Sequence, residues 1–313
     1  MANTNQALHM ATSRILTLDL NFLGHARAIA VYLIRHATGV VLIDSGPGST
    51  LAALEAGLAK GGLAPGDVTH VLLTHIHLDH AGAAGWWARQ GAEIHVHPMG
   101  APHLLNPEKL IASARRIYGD RMETLWGEFL PVPEEQLRVT TDSQELVVGN
   151  LRFVAIHTPG HAEHHCSYLL EETLFCGDVG GVRMPGCAYV QVPMPPPDLH
   201  LERWHESIAR LRGLKPAQIA PTHFGIFNDP EWQFDQVDQG LESAARWLDQ
   251  AMPAGPPLEQ LRQSFADWVR EEGERIGLNA EAANAYQLVN PSGMSADGLL
   301  RYWKKTREAS GSG

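Results

Sequence analysis

Residues 71–80 read Val-Leu-Leu-Thr-His-Ile-His-Leu-Asp-His, and they place four metal-binding side chains directly after an apolar run. The apolar run, residues 71–73, predicts a strand, and the loop after it then presents all four side chains from one place. These side chains are His75, His77, Asp79 and His80. Imidazole and carboxylate groups are the ligands that zinc and other first-row metals prefer. The stretch therefore predicts a metal site where this strand ends.

Three more candidate ligands follow the same pattern, because each stands at the end of a short apolar run: His161, Asp178 and His223. Short apolar runs predict half-buried or buried strands. Each run stops at a residue that breaks strands, which is Gly160, Gly177 or Pro221. Ligands at the same ends of several strands can converge on one site. Together with the first stretch they amount to five histidines and two aspartates, which is enough for two metals.

The motifs HxHxDH, TPGH, GD and PTHFG, in this order, resemble the metallo-β-lactamase superfamily of hydrolases. The resemblance runs from about residue 14 to about residue 227. It implies that one metal is held by His75, His77 and His161. It implies a second metal on Asp79, His80 and His223, with Asp178 bridging the two.

The second-site ligands indicate the branch of the family. True β-lactamases commonly place a cysteine there, whereas Asp79 and a bridging Asp178 are typical of the glyoxalase II, lactonase and phosphotriesterase-like branches. Cys176 lies two residues before Asp178, and we expect it to serve packing. The turn Asp44-Ser45-Gly46-Pro47-Gly48 resembles the family's DxGxG-type turn. We expect Asp44 to support His75 or the metal loop from behind.

The resemblance implies an α/β fold, a four-layer αββα sandwich, to which a C-terminal helical subdomain is added. It also implies two divalent metals per chain, zinc by expectation, although the same ligands accept iron, manganese, cobalt or nickel. A metal-bridging hydroxide, oriented by the catalytic carboxylates Asp79 and Asp178, would cleave a small ester, lactone or phosphotriester. Two alternatives stay open, a glyoxalase II-like thioesterase and a mononuclear-iron sulfur dioxygenase.

The composition of the chain restricts the classes of partner that we expect it to bind. The 313 residues are 44% hydrophobic and carry a net charge of −11, so the chain can bury a full core and lacks the basic footprint of a nucleic-acid-binding protein. Its three cysteines form no CxxC motif, and residues 1–14 show no signal peptide. No run of 18 apolar residues predicts a membrane span. We expect a cytoplasmic protein with a small-molecule substrate, no nucleic-acid or membrane partner, and a homodimer as a possible assembly.

The periodicity of apolar residues divides the chain. Residues 1–228 are expected to form the catalytic domain, with a helical insertion at about 104–130, and residues 229–309 an α-helical subdomain whose last helix is capped by Ser295. Residues 310–313 resemble an appended linker. Predicted strands are 15–18, 29–34, 40–43, 94–97, 145–148, 152–156, 167–170 and 173–176, and predicted helices include 49–60, 81–90 and 198–211.

Several residues are candidates to contact substrate: Phe22, Trp126, Phe129, Arg183, Tyr189, Met194 and Phe224. Trp126 and Phe129 either wall the pocket or cap the core. Arg183 either binds an anionic group or forms a surface salt bridge, and Tyr189 either donates to a substrate oxygen or packs in the core. His95 and His97 form a second HxH, for which strand packing is the expectation.

Overall fold

The computed structural model describes residues 14–308, so the predictions for the N-terminal segment before residue 14 and for the 310–313 tail lie outside the described residues. The described chain divides into two compact units. The first comprises residues up to 157 together with 166–171, and the second comprises residues 158–165 and those from 172 onward.

A six-stranded sheet is the centre of the first unit, with its strands in chain order. They are β1 (Ile15–Asp19), β2 (Ala30–His36), β3 (Gly39–Ile43), β4 (Val68–Leu72), β5 (Glu93–Val96) and β6 (Leu137–Val139). The first three strands pair antiparallel, and β3 to β6 pair parallel. The parallel strands β3 and β4 end side by side, with Ile43 paired with Leu72. The residues just after them, Asp44 and the 74–80 loop, therefore emerge at one edge of the sheet.

Three antiparallel strands complete the β structure of this unit: β7 (Glu145–Val148), β8 (Leu151–His157) and β9 (Cys166–Leu170). Their burial alternates along β7, where Leu146 and Val148 are buried while Glu145 and Val147 are exposed. This alternation is expected for a strand with one face on the core.

The helices of the first unit are α1 (Leu51–Lys60), α2 (Leu78–Ala81), α3 (Ala84–Arg89), α4 (Ala101–Leu105), α5 (Glu108–Tyr118) and α6 (Met122–Trp126). The single helix predicted over 81–90 is wrong, since two short helices occupy 78–89. The break falls where the amide of Ala83 donates to the carbonyl of Gly46, 2.9 Å away, and to Ser45 Oγ, 3.2 Å away. The amide of Ala83 makes these bonds in place of the hydrogen bond that would continue α2.

Two glycines bring α6 against the start of α1. A Cβ on Gly48 would lie 2.4 Å from the carbonyl oxygen of Glu128, and one on Gly127 would lie 2.5 Å from the amide nitrogen of Ser49. Ser49 Oγ also donates to the carbonyl of Leu125 at 2.6 Å. The backbones can approach this closely only because neither glycine carries a side chain.

The second unit contains the parallel pair β10 (Thr173–Phe175) and β11 (Gln218–Ala220), with α7 (Leu201–Gly213) and α8 (Pro230–Ala251). Trp204 of α7 is fully buried, and its backbone lies so close to Gly160 that a Cβ there would be 2.4 Å from Trp204 Cα. Arg212 links α7 to α8 through Glu231 and Asp235, at 2.6 and 2.9 Å.

The C-terminal helices are α9 (Leu258–Arg275), α10 (Ala280–Val289) and α11 (Ser292–Trp303), and a π-helical turn follows at Lys304–Glu308. The predicted α-helical character of this region is confirmed, but α10 was not predicted as a separate helix. Arg262 of α9 and Asp297 of α11 form a bidentate pair, with both contacts at 2.6 Å. The prediction that Ser295 caps the last helix is wrong. The helix begins three residues earlier, and the buried Ser295 hydroxyl instead donates to Asn290 Oδ1 and accepts from the amide of Met194.

Among residues 14–308, no helix is long and apolar enough to cross a membrane. The predicted domain boundaries at 228 and 309 stay predictions.

Candidate metal centre

The 75–80 loop gathers three imidazoles and a carboxylate. His75 Nε2 lies 2.8 Å from His77 Nδ1, and the ring centroids of His75 and His80 are 3.9 Å apart. Asp79 Oδ2 lies 3.5 Å from His80 Nε2. His75 and His80 are buried, while His77 and Asp79 are half-buried. Each of these atoms can act as a metal ligand, and all of them lie within residues 75–80.

Asp44 holds this loop from behind. Its Oδ1 accepts from the Thr74 amide at 2.7 Å, and its Oδ2 lies 2.8 Å from His80 Nδ1. A carboxylate at Nδ1 makes that nitrogen the N–H donor, which leaves the lone pair on Nε2 for a metal. The prediction that Asp44 supports the loop is confirmed, through Thr74 and His80.

Asp178 is placed between two histidines. Its Oδ2 lies 3.4 Å from His161 Nε2, and its Oδ1 lies 3.5 Å from His223 Nε2. The three side chains are almost fully buried. Each carboxylate oxygen thus faces a different imidazole, which suits a carboxylate that serves two metals at once.

The orientation of His161 is fixed by residues that are distant in sequence but pack against its ring. Its Nδ1 lies 2.9 Å from the carbonyl oxygen of Pro193, and the carbonyl can only accept, so Nδ1 carries the proton. The edge of Trp204 lies against the ring, with centroids 5.5 Å apart. Nε2 therefore presents its lone pair on the side of Asp178.

The seven predicted ligands are divided between the two units. His75, His77, Asp79 and His80 belong to the first unit, and His161, Asp178 and His223 belong to the second. Imidazole and carboxylate groups form a donor set that fits zinc and related divalent metals. Within the first unit, a further group of His70, Glu93 and His95 has ligand atoms within 4.8 Å of one another that could hold a metal ion, and it contains none of the predicted ligands.

Two aromatic candidates of the first unit, Phe22 and Trp126, form a cluster with Tyr118. Phe22 stacks on Trp126 with centroids 5.7 Å apart, and Tyr118 meets Trp126 edge-on at 5.1 Å. Phe129 is half-buried. Burial, and secondly the charge of Asp79, raise the pKa of Tyr118, so its hydroxyl stays protonated. No sequence signal marks the proximity of Tyr118 to Asp79.

Arg183 is engaged by protein groups. Its guanidinium pairs with both carboxylate oxygens of Asp229, at 2.6 and 2.8 Å, and lies over the rings of Phe227 and Trp232. The hydrogen bond from Arg183 lowers the pKa of Asp229. Of the two interpretations of Arg183, the structure shows the salt bridge.

Tyr189 and Met194 lie beside the C-terminal helices. The Tyr189 ring packs against Tyr286 with centroids 5.1 Å apart, and both candidates line a cavity of about 220 Å³ that Phe265 and Trp268 of α9 also border. Phe224 is buried. The role of each candidate in substrate binding stays a prediction.

Cys176 is fully buried, and burial raises the pKa of its thiol. A thiol in this environment is a poor thiolate ligand, which agrees with the expected packing role.

The family model of the metallo-beta-lactamase superfamily matches residues 26–223, which contain all seven predicted ligands. The chain belongs to this superfamily. Its members are metal-dependent hydrolases, and histidine and aspartate clusters that could hold a metal are present here. The α/β fold predicted from the motifs, with mixed sheets, helices and a C-terminal helical region, is confirmed.

Known proteins similar to this superfamily member include archaeal and fungal proteins. A metallo-beta-lactamase fold-containing protein of Sulfurisphaera tokodaii is 28% identical over 63% of this chain and 72% of its own length. An atrochrysone carboxyl ACP thioesterase of Aspergillus fumigatus is 27% identical over 82% of this chain, which spans about half (49%) of that relative's length. A crystal structure of an archaeal superfamily protein from Sulfolobus tokodaii matches with a TM-score of 0.65, at 21% identity, over 91% of this chain and 98% of its own.

Proposed function

We propose that this protein is a dinuclear metal-dependent hydrolase that cleaves small esters, lactones or phosphotriesters. The observation that carries the proposal is the arrangement of ligand side chains within each unit: His75, His77, Asp79 and His80 within residues 75–80, and Asp178 between His161 and His223. Three ligands would serve a single metal, whereas seven ligands with one carboxylate that faces two imidazoles fit two metals.

Zinc is the metal we propose, because imidazole and carboxylate donors at buried positions suit it. When bound, two such cations make water a nucleophile near neutral pH and polarise the carbonyl or phosphoryl oxygen of a substrate. His75, His77 and His161 would hold the first, and Asp79, His80 and His223 the second, with Asp178 shared between them.

The chain's own residues contribute orientation and charge. Asp44 and the carbonyl of Pro193 keep protons on the Nδ1 atoms of His80 and His161, so that both Nε2 atoms remain donors to a metal. Asp79, which is half-buried, can accept a hydrogen bond from the attacking water and so align it with the substrate.

The surroundings favour a substrate with little charge. The net charge of −11 disfavours polyanions, and Arg183 is already paired with Asp229. The half-buried ring of Trp126, which stacks on the buried Phe22, offers apolar surface. On the same grounds we propose a small-molecule substrate and no nucleic-acid or membrane partner. A cytoplasmic location and a homodimer complete the proposal.

A thioesterase is the second candidate. The similarity that supports it extends over 82% of this chain, to a fungal protein named as an acyl carrier protein thioesterase. A thioester carbonyl requires the same polarisation and the same nucleophile as an ester.

A substrate panel separates the two candidates. The zinc-loaded protein would be assayed for kcat/KM on a lactone, an ester and a thioester that share one acyl group, and on a phosphotriester. Our proposal predicts the highest value on an oxygen ester, lactone or phosphotriester, and a preference for the thioester would establish the second candidate instead. No metal-dependent hydrolysis of any class would refute both.

Specificity residues can be tested with the same panel. Trp126→Ala should change the relative rates between substrates at unchanged metal content, with exposed Leu105→Ala as the control. Equal scaling of every substrate by Trp126→Ala would show that the ring serves only packing.

A further inference from the structure

A second cluster of metal-binding side chains lies on the six-stranded sheet. His70 belongs to β4, and Glu93 and His95 belong to β5. The parallel register pairs His70 with Glu93, and His95 stands two residues further along β5. Because side chains alternate between the faces of a strand, all three project from the same face.

Their donor atoms are spaced almost as zinc ligands are. Glu93 Oε2 lies 3.7 Å from His70 Nε2 and 4.0 Å from His95 Nε2, and all three donors fall within 4.8 Å of one another. Tetrahedral zinc with bonds of about 2.0–2.2 Å separates its ligands by roughly 3.3–3.6 Å. The two Glu93 contacts are within about half an ångström of this range, and side-chain rotations that shorten the separations by up to about 1 Å would close the site.

The Thr69 hydroxyl contacts the inner nitrogen of His70. It lies 2.8 Å from both His70 Nδ1 and His36 Nε2, and 3.2 Å from the carbonyl oxygen of Val40. When His70 Nδ1 donates to this hydroxyl, Nε2 keeps a lone pair on the side of the Glu93 carboxylate, 3.7 Å away, an arrangement that a cation between them would stabilise. Burial lowers the pKa of His70, which favours the neutral ring.

The environment of His95 is a second observation that points to a bound metal. It is only 8% exposed, and within residues 14–308 neither of its ring nitrogens has a hydrogen-bond partner. Burial lowers its pKa to about 3, so the ring is neutral and keeps a lone pair. Strand packing, which the sequence favoured for His95, accounts for its burial. It does not account for two buried nitrogens that lack partners, because such groups are normally paired.

We propose that His70, Glu93 and His95 bind a divalent transition metal, for which zinc is the best match. The half-exposed side chains of His70 and Glu93 leave access from solvent and a fourth position for water. Arg138 of the adjacent strand β6 pairs with Glu93 Oε1 at 2.6 Å and leaves Oε2 to the metal. The positive charge of Arg138 opposes binding, so this site is weaker than one without it.

Such a metal would join β4 to β5. β4 leads directly into the 75–80 loop, which carries four of the predicted ligands of the catalytic centre. The proposed site would therefore stabilise the strand that precedes this loop. Zinc binding at this site therefore raises the thermal stability of the protein without adding a catalytic group.

The test counts zinc in the full chain. Wild type, His70→Gln and His95→Gln would be dialysed against the same buffered micromolar zinc, and bound zinc would be measured by mass spectrometry. Exposed His25→Gln is the matched control. We expect wild type and the control to hold one zinc per chain more than His70→Gln and His95→Gln. We also expect Arg138→Gln to bind this zinc roughly tenfold more tightly, because it removes a neighbouring positive charge.

Two results would overturn the proposal. One is equal zinc content in wild type, His70→Gln and His95→Gln. The other is unchanged or weaker binding of the additional zinc by Arg138→Gln. The Arg138→Gln variant controls for misfolding, because an unfolded protein would not bind zinc more tightly. Neither result bears on the seven-ligand centre, whose zinc is counted in every variant.

Discussion

At the scale of single residues, the chemistry depends on which nitrogen of each histidine keeps its proton. The HxHxDH stretch predicts the ligands because they are close in sequence and directly visible. The residues that fix their tautomers are distant in sequence: Asp44 stands 36 positions before His80, and Pro193 stands 32 after His161. The turn at residues 44–48, which resembles the family's DxGxG-type turn, pointed to Asp44. A backbone carbonyl such as that of Pro193 has no signal in the sequence.

Asp44→Asn tests this positioning role. The carboxylate of Asp44 accepts from the backbone amide of Thr74 and from His80 Nδ1. The uncharged side-chain amide of the variant cannot replace both contacts, so His80 loses its fixed tautomer. We expect metal affinity or kcat/KM to fall by about 10- to 100-fold. Asp120→Asn, at an exposed position, is the control and should leave both unchanged. Equal values for the two variants would show that Asp44 does not position the ligand.

Asp178 and Cys176 provide a second comparison at this scale. Asp178 faces both His161 and His223, whereas Cys176 is buried with a raised thiol pKa. Asp178→Ala should therefore lose far more activity and bound metal than Cys176→Ala. The loss should also exceed the roughly 10- to 100-fold decrease in metal affinity or activity that is typical when a residue supporting a metal ligand is mutated. Comparable losses in two folded variants, judged by circular dichroism, would reverse the assignment.

At the scale of elements, the close contact between Gly48 and the 127–128 backbone sets where α6 lies. Gly48→Ala puts a methyl group 2.4 Å from the Glu128 carbonyl, so one backbone must shift. We expect a loss of about 1–3 kcal/mol in the free energy of unfolding, measured with denaturant. Gly66→Ala, where a Cβ meets nothing within 4 Å, is the control. A loss no larger than that of the control would contradict the close packing.

The C-terminal helices reach a metal ligand through the 190–195 segment. Ser295 of α11 accepts from the Met194 amide at 3.2 Å, and the preceding Pro193 carbonyl orients His161. Ser295→Ala leaves a buried amide without this acceptor, at a cost of about 1–3 kcal/mol in stability. We also expect weaker metal binding, which Ser264→Ala, on the surface of α9, should not cause. Unchanged metal affinity in Ser295→Ala would confine Ser295 to folding.

At the scale of the whole molecule, most elements were predictable from sequence because apolar periodicity records burial directly. The strands over 15–19 and 145–148 fall within a residue of prediction. Failures occurred where a distant partner competes with local preference. Ala83 bonds to Gly46 and interrupts a predicted helix, and Ser295 serves Met194 inside a helix that it was expected to cap. The ring nitrogens of His95 show the same limit, because only the fold reveals that they lack a hydrogen-bond partner among the described residues 14–308.

The central claim is that hydrolysis depends on two metals held by the seven ligands. Its most direct test is removal of metal with a chelator and stepwise return of zinc, while bound zinc and kcat/KM are measured together. The His70→Gln variant is used so that the additional proposed site does not enter the count. We predict that activity disappears on exhaustive chelation and returns as the second equivalent of zinc binds. Full turnover by metal-free protein would contradict the account.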